Sequence, residues 1–540
     1  MNSNSIIRIF ATFALLVVAM FVAFDVFTSG TNAVARLYMY ALLGGAALGM
    51  LNPQRAFTVL VFLTAYLDYF KRFMIFDSGV SKMDLYYVLG IAPATLAGIS
   101  ANIVYRHISG KLDARPGMGR LILVTNCATI GLGLVSLLGS SSGFRDVGDT
   151  VNATIYIQLL FVVPALFRTP EQVRTLLKTL LICYIPSVLY YLLHAYRQTF
   201  MNVRMGVFDY EMRYLLSGMT IEIRQLMERV PRPFGTMSSA SNVSMVYAWL
   251  FIVLTSGFWV MPSLEGRGRS GTFWRWVLAL LIGVAMYASF SRTGWVFAVV
   301  GVAAAVMIRN RLMTSLGYSV AFLSVILAFV SAGYLLKHQI LNEISMDLYK
   351  SKRTGEWSQT TNLATLNDRL EGFAALMETG EAWTPFGLRF TSREIYIRSK
   401  VNTHDVITST LMSYGYVPII ISLVLAFRFL GKLHNLVYEL PKNHVKIMAA
   451  TLLAGGLSLI SGAVVNGAQF LTYPINFFIW FSFACATALR IWVLEQRALE
   501  ARERALAEGD SGRLPGIGSM RPGMLRPSLG PMPARARAQG

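Results

Sequence analysis

The chain has few charged residues and very few cysteines for its length. Of 540 residues only 14% are charged, and Asp and Glu number 28 against 48 Lys and Arg. This scarcity of charge excludes an ordinary soluble domain, in which about 25% of residues are charged. Cys127, Cys183 and Cys485 all lie in apolar runs, so we expect buried small apolar groups and neither a disulfide framework nor a cysteine metal cluster.

Hydrophobic residues make up most of the chain instead, at 55% with a mean hydropathy of +0.52. This composition is typical of a polytopic integral membrane protein. Apolar runs long enough to cross about 30 Å of hydrocarbon predict an all-α fold with about 14 transmembrane helices, in a range of about 12–14. The runs fall near residues 6–24, 35–52, 56–70, 84–104, 121–139, 151–168, 175–195, 239–260, 273–289, 293–308, 313–335, 407–427, 447–466 and 469–489.

The distribution of basic residues predicts the orientation. The first run carries Arg8 and has no small-residue cleavage pattern before Asp25, so we expect an uncleaved anchor whose N-terminus is cytoplasmic. Alternating crossings then place most Lys and Arg of the short connections on the cytoplasmic side, in agreement with the positive-inside rule. By the same alternation both termini are expected in the cytoplasm.

The composition changes after the last predicted span and divides the chain into two parts. Residues 1–489 form the predicted transmembrane domain, and residues 490–540 form a basic tail rich in Arg, Pro, Gly and Ala. We expect a helix to about Ala507 and disorder beyond Gly509. The net charge of +20 is explained by orientation signals and by attraction of the tail to anionic membrane lipids. Because no soluble domain organises this charge, no nucleic-acid partner is expected.

Two predicted outer loops are too long to be simple connections, and they cover about 196–237 and 337–405. In the first loop, apolar residues recur at helical spacing between Leu215 and Met227. This pattern predicts an amphipathic helix at the lipid interface.

The second outer loop, which precedes the twelfth predicted span, also has helical patterning. Thr365 and Asp368 resemble a capping box, which predicts that a helix begins there. Arg369 falls in its first turn, where a cation opposes the helix dipole. A nearby anionic ligand would explain an arginine at this position.

Two further arginines on the predicted outer side are candidates for anion binding. Arg232 lies between Pro231 and Pro233, which stiffen the backbone and favour an extended conformation at Arg232. The alternative is a helix stop with a solvated arginine. Arg292 lies in a tight reversal between two apolar runs, where a cation needs a partner or a water-filled cavity. The alternative is a side chain that snorkels to lipid phosphates.

His404 is the candidate proton acceptor. It lies at the start of the twelfth predicted span, in Asn402-Thr403-His404-Asp405. Of the other histidines, His194 and His338 share its predicted side but lack comparable neighbours, and a purely structural role for His404 stays open. Arg232, Arg292, Arg369 and His404 all map to one face of the membrane. Three arginines and one imidazole suit a diphosphate ester whose displacement needs a proton acceptor.

Residues 229–418 resemble the O-antigen ligase and O-antigen polymerase family of the bacterial envelope. The resemblance is carried by the order and spacing of four segments. The chain departs from the family pattern at three places: Asp405 stands in place of Asn, Ser413-Tyr414 stands in place of a Glu-containing step, and Gly387-Leu388-Arg389 lacks a second glycine. The four segments are Val230-Pro231-Arg232-Pro233-Phe234-Gly235-Thr236, Ser291-Arg292-Thr293-Gly294, Asn367-Asp368-Arg369 with Thr384-Pro385-Phe386-Gly387, and Thr403-His404-Asp405 with Leu411 to Pro418.

The resemblance implies a metal-independent, inverting glycosyltransferase on the periplasmic face of the bacterial inner membrane. Its donor would be a glycan linked to polyprenyl (undecaprenyl) diphosphate, and its acceptor a glycan or a lipid A-core. His404 would be the base, and the three arginines would bind the diphosphate without a metal or cofactor. Asp209 and Glu211 are spaced like an acidic metal motif, but no third oxygen ligand is evident. Membrane lipids, a flippase and a chain-length regulator are the further expected partners.

The leading interpretation is a polymerase of O-antigen or exopolysaccharide repeats. A ligase that moves the finished glycan onto the lipid A-core shares the donor and the chemistry, so it is the nearest alternative. A lipid-linked oligosaccharide flippase is an alternative of a different class, because many spans and a cationic cavity would suit it as well. A non-catalytic assembly scaffold is the third alternative.

Overall fold

The computed structural model shows a helical membrane-type bundle. The described residues are 20, 22–26, 28, 32–76, 82–113, 115–139, 151, 154–200, 235–237, 240–256, 268–289, 292–312, 384–385, 411, 415–440, 444–465 and 473–507. Every regular element within these ranges is a helix, and none of them contains a strand. The predicted all-α class is therefore confirmed for the described part of the chain.

The helices are numbered α1 to α12 along the described chain. One 3₁₀ turn, Lys71–Phe76, follows α2, and another, Ile155–Gln158, precedes α5. The helices are α1 (Ala33–Leu51), α2 (Pro53–Phe70), α3 (Lys82–Ile108), α4 (Met118–Gly139), α5 (Leu159–Leu166), α6 (Pro170–Phe200), α7 (Ala240–Thr255), α8 (Gly268–Ala288), α9 (Arg292–Arg309), α10 (Tyr416–Glu439), α11 (His444–Val465) and α12 (Ile475–Ala507).

Length and hydropathy make several of these helices able to cross a membrane. Six helices of the described ranges meet both criteria: α1, α3, α6, α10, α11 and α12. The apolar helices α4, α5, α7, α8 and α9 are shorter. A multi-pass membrane protein is compatible with this arrangement, and the larger number of about 14 spans stays a prediction. The predicted span 313–335 lies outside the described residues, as does most of 6–24.

Side-chain exposure follows the pattern expected for a protein in lipid. Large apolar side chains such as Leu123, Ile130 and Trp274 lie on the outside of the bundle, each more than half exposed. Inside, the Trp249 indole N–H donates to the Ser482 hydroxyl at 2.7 Å and joins α7 to α12. Lipid gives helices little hydrophobic incentive to associate, so they depend on close packing and on hydrogen bonds of this kind. Small residues at the interface allow the close packing.

Contacts between helix termini define two opposite ends of the bundle. At one end, Arg115 pairs with Glu495, and the Arg311 guanidinium donates to the Tyr438 carbonyl at 2.7 Å. We name this the basic end. The other end is reached by the last residue of α2 and by the first residues of α7, α9, α10 and α12. We name it the site end, because the segments that carry the predicted site residues enter or leave the bundle there.

Candidate functional site

The structure describes the framework of the predicted site and not its side chains. Arg232, Arg369 and His404 lie outside the described residues. Arg292 is described through its backbone as the first residue of α9. Three described segments beside these residues are held by specific contacts at the site end.

The first segment is the turn Gly235–Met237, which follows Arg232 closely in the sequence. Arg72, in the 3₁₀ turn after α2, is 6% exposed and donates from its two terminal nitrogens to the carbonyl oxygens of Gly235 at 2.6 Å and Met237 at 2.8 Å. Its guanidinium carbon lies 5.5 Å from the centroid of the Tyr69 ring. The planar fork of arginine suits this bridging of two acceptors.

The same turn is fixed from a second side by α6. Gly235 has a φ of +57°, and a Cβ at this position would lie 2.7 Å from Cδ2 of Tyr191. The hydroxyls of Ser187 and Thr236 are hydrogen-bonded at 2.6 Å in a buried position. Only glycine combines this backbone conformation with this close approach of an aromatic ring. The turn Gly235–Met237 is therefore held from two sides, by the 3₁₀ turn after α2 and by α6.

The second segment is the start of α9, which begins at Arg292, soon after α8 ends at Ala288. The Ser289 hydroxyl donates to the Met286 carbonyl at 2.6 Å and closes the last turn of α8. Gly294 packs against Ser244 of α7, where a Cβ would lie 2.7 Å from the Ser244 carbonyl oxygen. The backbone of Arg292 therefore lies beside the first turns of α7, and the predicted reversal itself falls partly outside the described residues.

The third segment joins the second outer loop to α10. The backbone N–H of Tyr416 donates to the Thr384 carbonyl, and that of Val417 donates to the Pro385 carbonyl, both at 3.2 Å. These are two of the N–H groups that a helix cannot satisfy in its own first turn. The Thr384-Pro385 segment, which follows the predicted loop helix, therefore caps the helix that follows His404.

One residue that the sequence analysis set aside belongs to this region. His194 of α6, which was set apart from His404 because it lacks comparable neighbours in the sequence, is a buried side chain. It is 5% exposed, and its ring centroid lies 6.1 Å from that of Tyr190. Tyr190 and His194 are four residues apart, so they share a face of α6.

Within the described ranges, no group of three or more His, Cys, Asp or Glu side chains is placed to hold a metal ion. The pair Asp209 and Glu211, which was weighed as a metal motif, lies outside those ranges. Comparison of the chain with protein-family models, with curated proteins and with solved structures found no match in any of the three.

Proposed function

We propose that this protein is a membrane glycosyltransferase that polymerises polyprenyl-diphosphate-linked oligosaccharide repeats on the periplasmic face of a bacterial inner membrane. One observation carries the proposal. The described turn Gly235–Met237, three residues after Arg232 in the sequence, precedes α7, and the helix that begins at Arg292 packs against the first turns of α7 at Ser244. Described segments that neighbour two sequence-remote arginines are thus found next to the start of one helix.

The proposed chemistry needs little more than cations and a base. The acceptor hydroxyl oxygen attacks the anomeric carbon of the donor, and the bond from that carbon to the diphosphate oxygen breaks with inversion. The hydroxyl proton passes to His404, and polyprenyl diphosphate leaves. Arg232, Arg292 and Arg369 stabilise the negative charge that develops on the diphosphate, a role that a divalent ion has in other transferases. The assignment of Arg369 and His404 rests on the resemblance and on their predicted side of the membrane.

The direct test is extension of a defined carrier-linked repeat by the purified protein in the presence of EDTA. We expect longer glycans on the carrier lipid and no loss of rate with EDTA. Strong inhibition by EDTA would contradict the metal-independent mechanism and would point to Asp209 and Glu211. Movement of labelled carrier lipid across liposomes, without any new glycosidic bond, would replace the proposal by a flippase.

A second experiment identifies the acceptor, because a polymerase and a ligase use the same donor and differ only in the acceptor. Deletion of the gene in its host should leave surface glycans of a single repeat if the protein is a polymerase. Long glycans that accumulate on the carrier lipid, unattached to the lipid A-core, would instead identify a ligase.

A further inference from the structure

Arg72 commits both terminal nitrogens of its guanidinium to hydrogen bonds with one short turn. Its guanidinium is buried and bridges two backbone carbonyls that belong to residues far along the chain, Gly235 and Met237. A buried cation in a membrane protein is energetically unfavourable compared with a neutral donor. Two carbonyls could be satisfied by neutral side chains or by water, so capping alone does not explain an arginine here.

What distinguishes this turn is the residue that precedes it. Pro233 lies between Arg232 and Gly235, and its φ is fixed by its ring. Few free backbone torsions therefore separate the clamped carbonyl of Gly235 from the Cα of Arg232. Since Tyr191 and the Ser187–Thr236 hydrogen bond hold the same turn from α6, its position is set from two sides. A clamp on Gly235 thus fixes the point to which the segment carrying Arg232 is covalently joined.

We infer that Arg72 is a positioning residue, which clamps the Gly235–Met237 turn so that Arg232 is presented to the diphosphate of the lipid-linked donor. This inference rests on the proposed function for its ligand, and on the described hydrogen bonds for its geometry. Arg72 acts through Arg232 and does not itself touch the substrate. The effect of removing it must therefore disappear when Arg232 is already absent.

The kinetic test is a double-mutant cycle on the full-length protein. Arg72→Met should raise KM for the carrier-linked donor about tenfold, as expected if the binding-competent position of the turn is then populated about a tenth of the time, with kcat little changed. In the Arg232→Ala background, Arg72→Met should have little further effect on kcat/KM. A merely structural role predicts the opposite: a lower apparent kcat from fewer folded molecules, an unchanged KM, and additive effects.

Two further variants sharpen the cycle. Arg72→Lys keeps the charge but offers one ammonium in place of a planar fork, so it should rescue KM only in part. Full rescue by Arg72→Lys would show that the charge alone matters and would overturn the clamp. Arg115→Met is the matched control, since Arg115 is a buried arginine that also donates to a backbone carbonyl, that of Pro164, but at the basic end. It should lower thermal stability without changing KM.

A measurement that needs no activity separates this inference from the proposed function. Hydrogen exchange at the backbone amides of residues 235–240 should be faster in Arg72→Met than in wild type, and unchanged in Arg115→Met. Unchanged exchange in Arg72→Met would overturn the clamp whatever the protein catalyses. Faster exchange in a protein that forms no glycosidic bond would uphold the clamp and reject the glycosyltransferase.

Discussion

Gly294 and Ser244 are in backbone contact at the site end of the bundle, so closely that a Cβ on Gly294 would lie 2.7 Å from the Ser244 carbonyl oxygen and 2.8 Å from the Ser244 Cβ. This contact fixes the start of α9, which begins at Arg292, against α7, which follows the Gly235–Met237 turn. A change at Gly294 should therefore move the backbone of Arg292.

Gly294→Ala is the first prediction. The new methyl group would meet backbone atoms, which cannot yield as a flexible side chain can, so we expect destabilisation of about 1–3 kcal/mol and a fall in kcat/KM. Thermal unfolding in detergent and the carrier-lipid assay measure the two effects. Gly133→Ala in α4 is the control, because a Cβ there meets nothing within 4 Å. Equal behaviour of the two variants would contradict the importance of the Gly294 contact.

Gly235→Ala is the second prediction. Here two penalties combine: a left-handed backbone conformation, worth about 1–2 kcal/mol for a residue with a Cβ, and a clash with Tyr191. Gly110→Ala carries only the first penalty, because its φ is +66° and the surrounding space is open. We expect the larger loss of stability for Gly235→Ala, together with a raised donor KM. Identical melting temperatures for the two variants would show that Tyr191 does not restrict the turn.

The ion pair at the basic end gives the third prediction. Arg115 donates to both carboxylate oxygens of Glu495, at 2.5 and 2.9 Å, and its side chain is 3% exposed. Breaking a fully buried pair costs about 3–5 kcal/mol, but the Glu495 side chain is 27% exposed, so we expect about 1–3 kcal/mol for Glu495→Gln. The exposed pair of Arg168 with Asp113 should contribute about 0–1 kcal/mol. Unfolding of Glu495→Gln and Asp113→Asn, side by side, measures the difference.

The fourth prediction concerns orientation. Ser78 lies in the sequence between the 3₁₀ turn Lys71–Phe76 and α3, in a connection predicted on the outer side. In a variant without Cys127, Cys183 and Cys485, a cysteine at Ser78 should react with a membrane-impermeant maleimide applied to the periplasmic side. A cysteine at Ser109, which is exposed near the basic end, should react only after the membrane is opened. The reverse pattern of labelling would place the site end in the cytoplasm and would exclude a periplasmic transferase.

Hydropathy predicted where most helices lie, because long apolar runs have few alternatives in lipid. It predicted their ends less well. The twelfth span was expected over 407–427, whereas α10 covers Tyr416–Glu439. Gly415, with a φ of +76°, precedes the helix, and α10 continues past Arg428 because charged residues end a hydropathy run without ending a helix. The span 151–168 was expected as one helix, but residues 155–158 form a 3₁₀ turn before the short α5.

Which face of an apolar helix meets lipid was harder to predict. Cys127 was expected to be buried, and this is wrong, because it lies exposed on α4. Cys485 is buried as expected. A helix that is apolar all round has no pattern that separates a lipid-facing side from a protein-facing one.

The contacts of the candidate site were only partly accessible from sequence. The short connection from α8 to α9, which ends at Arg292, could be predicted from local hydropathy. The bridge from Arg72 to Gly235 and Met237 could not, because it joins residues from two distant parts of the chain. Neither could the burial of His194, since a histidine near the end of an apolar helix has no local feature that reveals whether it faces protein.

The most direct test of the account is the rate of glycosidic bond formation by His404→Ala, measured with purified protein, a defined carrier-linked repeat and EDTA. Removal of a general base should lower the rate by about 10²–10⁴, while His338→Ala, on the same predicted side, should keep the wild-type rate. A wild-type rate in His404→Ala would contradict the proposed mechanism.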